Sequence, residues 1–263
     1  MESFRQNLYL VPVWIIGFVF FILIYAFNWL GYLFKKKISS LYPDKDFSLG
    51  AAEGSLMGLM ALLLAFSFGV AFTKFDARRQ SIVEEANLLN TYYLRCTLYP
   101  DSVKKSVVHD FKNYVQSRME YYAAKDYPFK IKEAQDKTNK YFDIMWNKNS
   151  VMIKDQNNGM RSEQLMPILI SLKTITISRE ASRVAKVPTL IILVLLLLVF
   201  IVSFITGFGL KPGQRNLFTA IAFAAMTSIV LYLIMELGRP SQGFINVDNV
   251  EKEIGILDNK LVD

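Results

Sequence analysis

Long apolar blocks alternate with polar segments along this chain of 263 residues. Three of the four blocks hold no lysine, arginine, aspartate or glutamate, and the other holds only Glu53; the blocks cover residues 6–34, 47–73, 187–210 and 216–235. A helix of about 20 apolar residues crosses a hydrocarbon core of about 30 Å. The pattern therefore predicts an integral membrane protein whose four spans lie at about residues 8–34, 49–73, 187–210 and 216–236.

A polar segment of 113 residues, Lys74 to Lys186, separates the second span from the third. Its apolar residues recur at steps of three and four, as in Ile82, Ala86 and Leu89, which is typical of amphipathic helices. We therefore predict an all-α polytopic membrane protein with four transmembrane helices and a helical domain between helices two and three. The predicted divisions are a hairpin (1–73), the helical domain (74–186), a second hairpin (187–240) and a tail (241–263).

The polar segment is basic. It holds 20 lysines and arginines against 13 aspartates and glutamates, a balance of +7 that equals the net charge of the whole chain. Such a domain can contact anionic lipid or concentrate anions, although a solvated helical surface is the simpler explanation of the charge. Positive residues near the span ends number nine on the domain side and six on the other. This count favours a cytoplasmic domain with both termini on the same side.

Catalytic and metal-binding chemistry is poorly represented. One histidine (His109) and one cysteine (Cys96) cannot build a histidine–cysteine metal cluster or an internal disulfide. The signatures GxxxxGK[ST], GxGxxG, HExxH and GxSxG do not occur. No nucleic-acid-binding module accompanies the positive charge. We therefore expect no enzyme, no metal, no cofactor and no nucleic-acid partner.

Small residues form a narrow stripe along the second span. On a helical wheel they share one face, and small residues at four-residue spacing let membrane helices approach closely. The predicted helix-packing residues are Gly50, Gly54, Gly58, Ala61, Ala65 and Gly69. The stripe alone does not show whether the partner helix belongs to the same chain or to another copy.

A second stripe lies about 100° around the same helix. It has a carboxylate near one end and a hydrophobic middle, with Arg78 beyond the other end, which suits a helix lining an ion pore. The candidate pore-lining residues are Glu53, Met57, Met60, Leu64, Ser67, Phe68, Ala71, Phe72 and Phe75. The competing interpretation is that the apolar members of this stripe contact lipid or neighbouring helices.

The second span continues without glycine or proline into the polar segment, so a single helix could couple the membrane to the domain. The spacing of the charged residues along this continuation disfavours ion pairs within the helix. We therefore expect these residues to pair with charges on other helices or subunits. Together with charges beside spans three and four, the candidates for this coupling are Arg78, Arg79, Glu84, Glu85, Arg179, Arg183, Glu236 and Arg239. Ordinary surface or span-end charge is the alternative.

Several short runs resemble a bacterial family of bestrophin-like membrane proteins. They are the segment 58–68, Phe75-Asp-Ala-Arg-Arg, Val83-Glu-Glu-Ala-Asn, Tyr92-Tyr-Leu-Arg, Ser178-Arg-Glu-Ala-Ser-Arg and Glu236-Leu-Gly-Arg-Pro-Ser-Gln-Gly. The resemblance implies a pentameric chloride channel in a bacterial inner membrane, with cytoplasmic termini and an aromatic neck in span two. Residues corresponding to the neck would be Leu64, Phe68 and Phe72. The acidic calcium clasp of animal bestrophins has no counterpart here.

Two functions remain after these observations. The first is a homo-oligomeric ion channel with the second span around the pore; its partners would be lipid, further copies of itself and a small ion, with anions slightly favoured over cations. The second is a non-conducting scaffold or sensor whose basic domain binds a cytoplasmic partner or anionic lipid. A transporter is less well supported, because transporters usually have more spans than the four predicted here and contain inverted repeats.

Overall fold

The computed structural model describes residues 12–42, 50–124, 127–184, 188–210 and 216–238. Within these ranges the chain forms seven α-helices and no strand, so the all-α prediction is confirmed. The helices are α1 (Val13–Leu41), α2 (Gly50–Cys96), α3 (Asp101–Ala123), α4 (Pro128–Met152), α5 (Gly159–Val184), α6 (Thr189–Phe208) and α7 (Leu217–Leu237).

Four of these helices, α1, α2, α6 and α7, are long and apolar enough to cross a membrane, which confirms the predicted number of spans. Helix α1 runs past the predicted end at residue 34, so Lys35, Lys36 and Lys37 are helical and not part of a loop. Lysine is a good helix former. The helix ends at Leu41 because Tyr42 precedes Pro43, and a residue before proline disfavours the helical conformation.

The chain divides into two compact units. In the first, α1 packs closely against α6 and α7, and the apolar part of α2 joins the same hydrophobic cluster. The α1–α6 crossing depends on Gly31 and Gly207, since a Cβ on either glycine would overlap a backbone carbonyl of the other helix. Beside it, Asn28 Nδ2 donates to Thr206 Oγ1 at 3.1 Å and to the carbonyl of Ser203 at 3.3 Å.

The second unit is a bundle of α3, α4, α5 and the part of α2 from Asp76 onward. Successive helices run antiparallel, since later residues of one helix contact earlier residues of the next. Glu85 of α2 contacts Arg118 of α3, and the ring of Tyr92, seven residues later, packs at a tilt against that of Phe111, seven residues earlier, with centroids 4.7 Å apart. Pro100 immediately precedes α3 and Pro128 is the first residue of α4, positions where a missing backbone N–H costs nothing.

Candidate functional site: the second helix and its buried charges

One side of the apolar part of α2 is covered by the chain's own helices. Met60, Leu64, Ser67 and Ala71 are all buried, the three apolar ones in a cluster with residues of α6 and α7 such as Val199. A side chain that lines a water-filled pore has to be accessible from outside its own subunit. The structure therefore assigns these four pore-lining candidates to packing within the chain. Leu64 is one of them, so it does not line the neck that the family resemblance implies.

The stripe of small residues lies on an uncovered side of α2. A Cβ added to Gly54, Gly58 or Gly69 would meet no heavy atom within 4 Å, and Ala61 and Ala65 are exposed. The close packing predicted for this stripe is therefore not made with the described helices of the same chain. Gly50 begins the helix with a φ of 43°, a conformation that favours glycine.

Three of the remaining pore-lining candidates are also exposed: Met57, Phe68 and Phe72. The rings of Phe68 and Phe72 stack one helical turn apart, with centroids 6.3 Å apart and planes 20° from parallel. This arrangement places two aromatic rings beside the small-residue stripe, pointing away from the chain's own core. Phe75, in contrast, is partly buried against the first unit's hydrophobic cluster.

Glu53 is partly buried at the start of the second span. A Cβ on Gly209 would come within 2.5 Å of Glu53 Oε2, so the carboxylate rests directly against the glycine that follows α6. A residue larger than glycine at this position would displace the carboxylate. The structure thus places Glu53 at a helix–helix contact in the first unit.

A buried group of charges joins three helices of the second unit. The Glu85 carboxylate, which is 0% exposed, accepts hydrogen bonds from Arg118 Nε at 2.6 Å and Arg118 Nη2 at 3.1 Å. Its Oε2 also accepts from Arg179 Nη1 at 2.7 Å and from the Tyr122 hydroxyl at 2.7 Å. Four hydrogen bonds therefore converge on this carboxylate, and they connect α2, α3 and α5 at one point.

The electrostatics of this group favour the ionised carboxylate. Burial by itself raises the pKa of Glu85, but the charges and hydrogen bonds of Arg118 and Arg179 outweigh it and hold the pKa below its ordinary value. Two guanidinium groups against one carboxylate leave a net positive charge. Aromatic faces help to stabilise it, since Arg179 lies 4.4 Å from the Tyr122 ring centroid and Arg118 lies 4.6 Å from that of Tyr121.

The other charged candidates do not join Glu85. Arg78 Nε donates to the carbonyl of Ser182 at 3.3 Å, and Arg183 pairs with Glu180 on its own helix at 2.6 Å. Arg79 and Glu84 are exposed, and Glu236 is buried at the end of α7. Arg239 lies outside the described residues. Among these candidates, the structure brings Glu85 and Arg179 into direct contact.

Sequence reasoning missed Arg118 and Tyr122 as members of this group. Arg118 continues the apolar stripe of α3 through Phe111 and Tyr114, and it is fully buried. An arginine on an otherwise apolar face indicates a buried acidic partner, because an uncompensated charge is costly in a core. That signal was present in the sequence, but it could not say which acidic residue was the partner.

The described residues include no group of three histidine, cysteine, aspartate or glutamate side chains placed to hold a metal ion. Cys96 is buried, which raises the pKa of its thiol to about 12 and makes it a core residue and not a nucleophile.

A family profile described as a bestrophin-like domain matches residues 55–251. A crystal structure of a point variant of a bacterial bestrophin homologue from Klebsiella pneumoniae is 12% identical, with a TM-score of 0.74, covering 94% of this chain and 99% of that chain. Another structure of that homologue, phased on zinc, is 13% identical with a TM-score of 0.68, covering 92% and 98%. At this identity the structures are evidence of a shared fold alone. No curated protein matches the sequence.

Proposed function

Since this chain belongs to the bestrophin-like family, as its residues around Arg78 predicted, we propose that it forms a homo-oligomeric ion channel in the membrane. The second helix of each copy faces the ion path. The alternative, a scaffold that conducts no ions, keeps the same fold but leaves the exposed face of α2 without this role.

The proposal rests on one observation: the apolar half of α2 has a face of glycine, alanine and phenylalanine that the described helices of its own chain leave open. Association of membrane helices depends on close packing at small residues, since lipid tails are as apolar as the side chains. Gly54, Gly58 and Gly69 therefore suit contact with α2 of another copy. Several such helices around an axis would enclose a path between them.

Phe68 and Phe72 are the side chains we place at the narrowest part of this path. Both are exposed on the open side of α2, and their stacked rings form one continuous apolar surface. A ring of such surfaces excludes water unless it widens, which is how a hydrophobic constriction gates a channel. Met57 extends the same side toward the start of the helix.

We propose an anion as the preferred ion. The segment from Lys74 to Lys186 has a net charge of +7, which raises the local concentration of anions on its side of the membrane. The net positive charge of the Glu85 group is part of this total. Glu53 does not oppose this preference strongly, because its carboxylate rests against Gly209 within its own chain.

Replacing the two rings tests the ion path directly. Phe68→Ala and Phe72→Ala remove apolar bulk from the constriction, so we expect each to raise single-channel conductance or to reduce ion selectivity in planar bilayers. Phe66→Ala is the matched control, because Phe66 lies on the same span and is 59% exposed, but points to another side of the helix.

Equal effects of all three substitutions would mean that the lipid-facing surface, and not a path along this face, controls conductance. Unchanged currents in Phe68→Ala and Phe72→Ala would remove both rings from the path. Either result would contradict the proposed pore.

A further inference from the structure

The hydrogen-bond donors around Glu85 come from two helices, and the carboxylate that they bind comes from a third. Arg118 and Tyr122 belong to α3 and Arg179 belongs to α5, whereas Glu85 reaches them from α2. Guanidinium groups and hydroxyls are the donors with which proteins bind anions by short, charge-assisted hydrogen bonds. We call Arg118, Tyr122 and Arg179 the donor cradle.

Contacts that do not involve Glu85 hold the donor cradle together. One turn before Arg118, the Tyr114 hydroxyl lies 3.4 Å from Thr176 Oγ1 and shares a hydrogen bond with it. Beyond the cradle, the Tyr121 hydroxyl donates to Glu180 Oε2 at 3.0 Å. Both bonds join α3 directly to α5. The donors are therefore positioned by the packing of α3 on α5, and the carboxylate adds to an arrangement that these contacts already support.

One aromatic ring lies beside both guanidinium groups of the cradle. Arg179 lies 4.4 Å from the centroid of the Tyr122 ring, and Arg118 lies 5.5 Å from the same centroid. The face of an aromatic ring attracts a cation, but it does not neutralise the charge. Two like charges are thus held close together in the core of the second unit, where they require an anion between them.

The cradle carries more positive charge than Glu85 neutralises. The other carboxylate nearby, Glu180, is paired with Arg183 at 2.6 Å, and α4 contributes only the uncharged Gln135 as a hydrogen-bond partner of Glu180. The charged and titratable groups that surround Glu85 and the cradle are Tyr114 and Tyr121 of α3, with Glu180 and Arg183 of α5. Because a buried charge without a counter-charge is costly, the cradle needs another anion whenever Glu85 is neutral.

We propose that the donor cradle is a binding site for a small monovalent anion, such as chloride or formate, and that the Glu85 carboxylate fills it here as a tethered anion. A free anion enters when Glu85 becomes neutral, so ionisation of Glu85 and anion binding compete. Anion binding then stabilises the second unit in proportion to the anion concentration. This inference concerns the second unit alone, and it holds whether or not the protein conducts ions.

Removing the tethered anion tests the site in the full-length protein. Glu85→Ala leaves the donors in place and vacates the position of the carboxylate. Thermal unfolding would be followed by tryptophan fluorescence in formate, in chloride and in a bulky sulfonate at equal ionic strength. We expect formate or chloride to raise the midpoint of Glu85→Ala by about 5 °C over the sulfonate at saturation. Glu84→Ala is the matched control, because Glu84 is exposed on the same helix, and it should show no such gain.

The wild-type chain supplies a second test that does not depend on the folding of Glu85→Ala. Arg118 and Arg179 hold the pKa of Glu85 below its ordinary value of about 4.3, so the carboxylate is lost as the pH falls through that lowered pKa. We expect chloride to raise the midpoint over the bulky sulfonate below about pH 4, but not at pH 7. Arg179→Gln should abolish this gain, and Arg79→Gln should keep it, since Arg79 is exposed.

The absence of a chloride-specific gain in acidified wild type would overturn the proposal and leave the Glu85 group as an ion pair only. A folded Glu85→Ala variant with equal midpoints in all three salts would also overturn it. So would an equal gain in Arg179→Gln and Arg79→Gln, because the anion would then act on the general positive charge of the protein and not in the cradle.

Discussion

At the scale of single residues, Glu85 is the side chain on which the second unit depends most. It is fully buried, and two guanidinium groups and a hydroxyl converge on its carboxylate. Removing one member of a buried ion pair leaves the other charge uncompensated, which costs more than the pair itself contributes. The group is therefore a point where a small change has a large effect on stability.

Glu85→Gln should lower the free energy of unfolding by about 3–5 kcal/mol, because Arg118 and Arg179 would remain buried opposite a neutral amide. Thermal unfolding of the purified protein in detergent, followed by circular dichroism, measures the change. Glu84→Gln is the control: its carboxylate is exposed on the same helix, and surface substitutions change stability by about 0.5 kcal/mol or less. Similar losses in both variants would show that the buried group has no special role.

The stabilisation by Glu85 should also depend on pH in a defined direction. Its pKa is lower in the folded protein than in the unfolded chain, where it is about 4.3. The contribution is therefore complete above that value and is lost as the pH falls through the folded pKa. We expect the difference in melting temperature between wild type and Glu85→Gln to stay constant from neutral pH down to about 5 and to shrink below about 4. A difference that grows on acidification would contradict this assignment.

At the scale of helices, the first unit depends on the close crossing of α1 and α6. Gly31→Ala would place a methyl group onto the carbonyl of Phe204, so the helices would have to separate. We expect a loss of about 1–3 kcal/mol, typical of overpacking, measured by thermal unfolding. Leu30→Ala is the control on the same helix, because Leu30 is 52% exposed and surface substitutions change stability by about 0.5 kcal/mol or less. If Gly31→Ala were as stable as Leu30→Ala, the crossing would not require glycine.

These two helices also show what the sequence could and could not predict. The length and apolar composition of the blocks were enough to predict four spans, because the membrane sets both. The glycines at the crossing were not singled out, whereas the more regular small-residue stripe of α2 was. Regularly spaced small residues indicate that another helix can pack closely against a helix. Which glycine makes the close contact depends on how the helices are arranged in the folded chain. Gly31 and Gly207 are isolated on their helices and carry no such periodic signal.

The same limit applies to the pore-lining candidates. Periodicity placed Met57, Met60 and Leu64 on one stripe, but it could not divide that stripe between the chain's core and its exterior. The structure divides it: Met60 and Leu64 are buried, and Met57 is exposed. A helical wheel gives the angle between residues around a helix axis. Which of these angles faces the core depends on where α6 and α7 lie. In the second unit, by contrast, Pro100, Pro128 and Gly159 stand at the starts of α3, α4 and α5, because proline and glycine act locally on the backbone.

At the scale of the whole molecule, a bestrophin-like fold, an uncovered face of α2 and a basic helical domain together support the proposed ion channel. Fold alone does not establish activity, so the assembly itself has to be tested for conduction. The scaffold alternative predicts the same helices, the same buried charges and the same response to Glu85→Gln. It differs only in whether ions cross the membrane.

The most direct measurement is ion flux from liposomes that contain the purified protein, with chloride and potassium gradients imposed in separate experiments. The oligomer is verified beforehand by light scattering in detergent, and protein-free liposomes set the background. We expect chloride efflux above background and a smaller efflux of potassium. An intact oligomer that releases neither ion would contradict the channel and support the scaffold.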